Sequence, residues 1–91
     1  MEQKMYDIKI KCLGGKGPCD IGIKPGTEWT MDDRTPGGMC SLVYNANFPI
    51  IWGMMNGATF PWQDDPDVTW ISCTNPKVNN VYEIRRIPRN S

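Results

Sequence analysis

Histidine is absent from this 91-residue chain. A cysteine–histidine catalytic pair therefore cannot be assembled within one chain. Net charge is absent as well, since ten basic and ten acidic residues balance. No overall field attracts nucleic acid or an anionic membrane, so neither is expected as a partner. Long apolar runs are also missing. No stretch approaches the roughly 18 apolar residues a spanning helix requires, and residues 1–11 lack the apolar core of a signal peptide. The expectation is a cytoplasmic protein. In that compartment reducing conditions disfavour structural disulfides.

Several motifs are missing too. There is no Cys-x2-Cys knuckle, no internal repeat and no low-complexity tract. The segment Gly14-Gly15-Lys16-Gly17 follows a strand pattern but leads to Pro18-Cys19 instead of a helix bearing Lys-Ser/Thr, so it is not a nucleotide-binding loop.

What the chain has is sulfur and aromatic surface: four cysteines, six methionines and four tryptophans. Ninety-one residues form a single domain, 1–91, with a modest core that a metal, a disulfide or a partner subunit would supplement. The methionines and tryptophans suit a homo-oligomer or protein-partner contact, or simply the core.

Periodicity supplies the elements. Tyr6, Ile8, Ile10 and Cys12 alternate with Asp7, Lys9 and Lys11, the period-2 signature of a strand with one buried face. Thr27, Trp29 and Met31 share a face in a second strand. After Thr35-Pro36-Gly37-Gly38, residues 39–47 suit a short helix, and Pro49 suits the first turn of a second reaching Gly57, with Phe48 as the joint. Tyr44, Phe48, Ile51, Trp52 and Met55 recur at helical spacing and are expected to face the sheet. The stretch 57–67 reads as a structured loop. Strands follow at 68–73 and 81–85, where Arg85, Arg86 and Arg89 read as a solvated edge and residues 89–91 as a frayed tail. The order ββααββ predicts an α+β fold, a small, mainly antiparallel sheet with one or two short helices on one face.

Cys19, Cys40 and Cys73 each fall where a Gly- or Pro-marked loop meets an element, whereas Cys12 continues an apolar strand face. Sulfurs at the ends of rigid elements can converge. Thiolates are soft donors suited to zinc or an iron–sulfur cluster, so Cys19, Cys40 and Cys73 are candidate metal ligands, with Cys12, an acid such as Asp20 or a nonprotein group as the fourth. Phe60 and Trp62 are candidates to screen that cofactor from water, or to line a small-ligand pocket or subunit interface. A third reading makes Cys40, near a helix N-terminus, the thiol of an enzyme, with Asp64 or Asp65 moving protons.

Taken together, Gly17-Pro18-Cys19, Pro36-Gly37-Gly38-Met39-Cys40, Gly57 to Trp62, Cys73-Thr74-Asn75 and Tyr82-Glu83-Ile84-Arg85-Arg86 fall in a specific order. In that order the chain resembles a family of small uncharacterised bacterial and archaeal proteins with a Cys, then Pro-x-Gly-x-Cys, Gly-x-x-Phe-Pro-Trp and a late Cys-Thr. The resemblance singles out Cys19, Cys40 and Cys73 and leaves Cys12 as an addition. Many members carry histidine where this chain has Ile23 and Asn45, which implies that a mixed Cys/His zinc site is not kept here.

Overall fold

Alternation along the first strand has the consequence period 2 demands: Ile8, Ile10 and Cys12 are buried while Lys9 and Lys11 turn the other way. The computed structural model describes residues 5–89, and residues 1–4 and 90–91 lie outside that range. Five elements follow in order: β1 (Tyr6–Gly14), β2 (Glu28–Met31), α1 (Ser41–Met55), β3 (Val68–Ser72) and β4 (Val81–Pro88). The strands form one antiparallel sheet in the order β2-β1-β4-β3, with α1 on one face. This is a small α+β fold with one helix.

Register sets the core. Ile8 lies opposite Met31, Ile10 opposite Trp29 and Ile84, and Cys12 opposite Tyr82, so these side chains share one face. Ile71 opposite Tyr82 extends that face onto β3. Helix α1 covers it with Val43, Ile51, Met54 and Met55. The opposite face carries Lys9, Glu28, Glu83 and Arg85, with Lys9 and Glu28 3.5 Å apart, and it needs no cover.

Two expectations about the helical region change. Residues 41–55 form one helix, not two, with Pro49 inside it. Proline removes only its own N–H bond, whose acceptor would be the exposed Asn45, and the apolar face on either side packs continuously on the sheet. Trp52, expected to face the sheet, is 55% exposed, and Met54 is buried in its place.

The basic C-terminal stretch is also not an edge. β4 is paired on both sides, and Arg86 is only 7% exposed. Arg86 shares the face of Ile84 and Tyr82, where its Nε donates to Asp67 Oδ1 at 3.0 Å and its guanidinium donates to the carbonyls of Ala58 and Met54 at 2.8 and 3.4 Å. The same group lies 4.9 Å from the centre of the Tyr6 ring. Arg89, placed by the sequence at the start of a frayed tail, donates to Asp7 at 2.7 Å and to Asp33 at 3.0 Å. The rest of that tail lies outside the described residues.

Candidate thiol cleft

Two loop-to-element junctions and one loop interior meet at one end of the sheet, because Cys19, expected where a loop meets an element, lies within the loop 15–27. Cys19 comes from the loop between β1 and β2, Cys40 is the residue just before α1, and Cys73 follows β3 directly. All three line a single cavity of about 200 Å³, together with Asp20, Ile21, Leu42, Val43, Asn80 and Tyr82. None of the four cysteines is in a disulfide.

Each thiol is placed by a different local device. Cys40 has extended backbone geometry, its carbonyl accepts the N–H of Tyr44 at 3.0 Å, and its side chain makes no capping bond. The first turn of α1 therefore opens onto the cavity through Leu42 and Val43, with the positive end of the helix dipole beside the sulfur. Cys73 is fixed by a turn that doubles back onto it. Asn80 donates its backbone N–H to Cys73 Sγ at 3.1 Å, and Cys73 N–H donates to Asn80 O at 2.9 Å. Asn79, at φ 46°, makes the reversal possible in a region that asparagine tolerates. Cys19 sits in a turn closed by a bond from Gly22 N–H to its carbonyl at 2.9 Å, and Gly22 there has φ 82°.

Electrostatics also connect the sulfurs. Burial pushes the Tyr82 phenol up to about 12, and the neighbouring thiols of Cys12, Cys19 and Cys40 push in the same direction, while a hydrogen bond with Asn80 opposes it. Tyr82 therefore stays a neutral phenol at the floor of the cleft. Asp20 is the one carboxylate among the lining residues.

Other candidates lie elsewhere. Cys12 is fully buried on the sheet opposite Tyr82 and does not line the cavity, because strand alternation carries it into the core. Phe60 and Trp62 are not near the thiols. They stack on each other at 4.8 Å in the loop beyond the C-terminus of α1, and Trp62 Nε1 donates to Thr69 Oγ1 at 2.9 Å near the start of β3. Cys40 precedes the other end of this 15-residue helix, ~22 Å away along its axis. Ile21 and Leu42, both exposed, stand at the cavity where the two aromatics were expected. Asp64 and Asp65 belong to the same distant loop and give Cys40 no base.

Among the described residues no three Cys, Asp or Glu side chains are grouped closely enough to hold a metal ion directly. Among them, too, no helix is long and apolar enough to cross a membrane. The sequence did not signal Asn80, Tyr82 or Val78 as part of the site. The run Asn79-Asn80 before a strand was the available clue, since paired asparagines mark a tight reversal.

Comparison with known proteins adds no assignment: no family model, no curated protein and no solved structure matches the chain.

Proposed function

We propose that the chain is a small thiolate protein that carries an iron–sulfur cluster on Cys19, Cys40 and Cys73, as a redox or accessory protein. The observation that carries this reading is that three cysteines far apart in sequence line one cavity. A single zinc ion with bonds of about 2.3 Å needs sulfurs within ~3.8 Å of one another. In a [4Fe–4S] cluster each thiolate binds a different iron, so the sulfurs stand further apart, which suits a site without single-ion spacing.

The surroundings support an anionic cofactor. The N–H of Asn80 on Cys73 Sγ is the kind of bond that tunes a cluster, and the start of α1 adds a favourable field. Asp20 on the same cavity is the favoured fourth protein ligand over Cys12, which does not line it. The reading agrees with the resemblance set out above, because the three motif cysteines are the three in the cleft. Its apolar lining by Ile21, Leu42 and Val78 suits a second reading, a pocket for a small organic ligand with structural cysteines.

Anaerobic reconstitution with ferrous iron and sulfide decides between them. The expected product is coloured, with bound iron and sulfide that are lost when Cys19, Cys40 and Cys73 are changed to serine and kept in Cys12→Ser. A colourless protein that retains no iron overturns the cluster and leaves the organic-ligand pocket.

A further inference from the structure

Behind the thiol cleft lies a second cavity of about 290 Å³, lined by Gly15, Lys16, Gly17, Pro18, Gly22, Ile23, Lys24 and Pro25. It shares Cys19 and Asn80 with the first, so the two compartments adjoin through those residues. Their chemistry differs. The thiol compartment has one carboxylate and a mostly apolar wall, whereas this one contains two lysines and no acid.

Among the described residues Lys16 and Lys24 have no ion pair, as is true of Lys11 and Lys77 outside this cavity, whereas Lys9, Arg34, Arg85, Arg86 and Arg89 all do. The backbone is also unspent. The N–H groups of Gly17, Cys19, Ile23 and Lys24 donate to nothing among the described residues, while the neighbouring Lys16 and Gly22 use theirs on Val78 O and Cys19 O. The loop is held in place from behind. A side chain at Gly15 would meet Val78 O at 2.3 Å, so only glycine lets the loop lie on the turn that positions Asn80.

Free amides on a glycine-rich loop, with two unpaired ammonium groups beside them, are the components of an oxyanion cradle. A net charge of zero conceals this local excess. We infer that the second cavity binds the oxyanion group, carboxylate or phosphate, of a small ligand whose other end reaches the thiol compartment past Cys19. This goes beyond the cluster reading and does not depend on it.

The test is titration of the metal-free, isotope-labelled full chain with inorganic phosphate and with acetate at constant ionic strength, followed by amide NMR shifts. Saturable shifts centred on Gly17, Cys19, Ile23 and Lys24 are expected. Tighter binding of phosphate identifies a phosphoryl group, and equal or tighter binding of acetate a carboxylate. Lys16→Gln and Lys24→Gln should each weaken binding about tenfold, as the loss of one charge-assisted bond predicts, while Lys77→Gln changes nothing. A Cys40→Ser, Cys73→Ser double variant, which cannot hold a cluster, should keep the same anion affinity. Shifts that rise without saturation, or that respond equally to Lys77→Gln, overturn the proposal.

Discussion

Arg86 shows how one residue can organise three parts of the chain. It ties the end of α1, the loop carbonyl of Ala58 and the acid Asp67 to the central strand, with 5% of its side chain exposed. Arg86→Met would leave two carbonyls without that donor and Asp67 without its partner, at a cost of about 2–4 kcal/mol. Asp67→Asn should cost only about 1 kcal/mol, because Asp67 is 58% exposed and the carbonyl bonds survive. Urea denaturation of the two variants measures both, and equal losses would show that the carbonyl bonds contribute nothing. The position was legible in principle. Tyr82, Ile84 and Arg86 obey one period-2 pattern, yet a run of arginines near a terminus suggests solvent when composition is weighed above register. The same alternation makes Cys12 a core residue and carries it away from the cavity where a fourth ligand would stand.

At the level of elements, β1, β2, β3 and β4 were recoverable from alternation and turn residues, and the α+β class followed from their order. The helix was less legible, because the local effect of proline competes with packing that no local rule contains. Pro49 stands in the middle of α1 without breaking it, which makes it a reservoir of unused stability. Pro49→Ala restores a backbone bond and a helix-favouring residue, partly offset by a looser unfolded chain, for a net gain of about 1–2 kcal/mol. Thermal unfolding should show a higher midpoint, and an unchanged or lower one would mean that the ring itself supplies packing. The loop after α1 owes its order to Gln63, which accepts from Phe60 N–H at 2.6 Å and donates to Val68 O at 2.8 Å. That fixes the aromatic pair at its own end of the helix. No spacing rule along the chain could tell which end that was.

Across the whole molecule, thiols and aromatics occupy opposite ends of α1, so the two should be separable by mutation. Trp62→Ala removes a donor from the buried Thr69 hydroxyl and should lower stability by about 1–3 kcal/mol. Cofactor uptake by the cleft, measured by the same reconstitution, should remain at the level of the unaltered chain; a loss of uptake would place the aromatics at the site after all. Strand order adds a constraint in time. β3 joins the sheet only through β4, which follows Cys73 in the chain. The cavity therefore cannot close until β4 has paired, and any change that slows that pairing delays the moment at which its three walls meet.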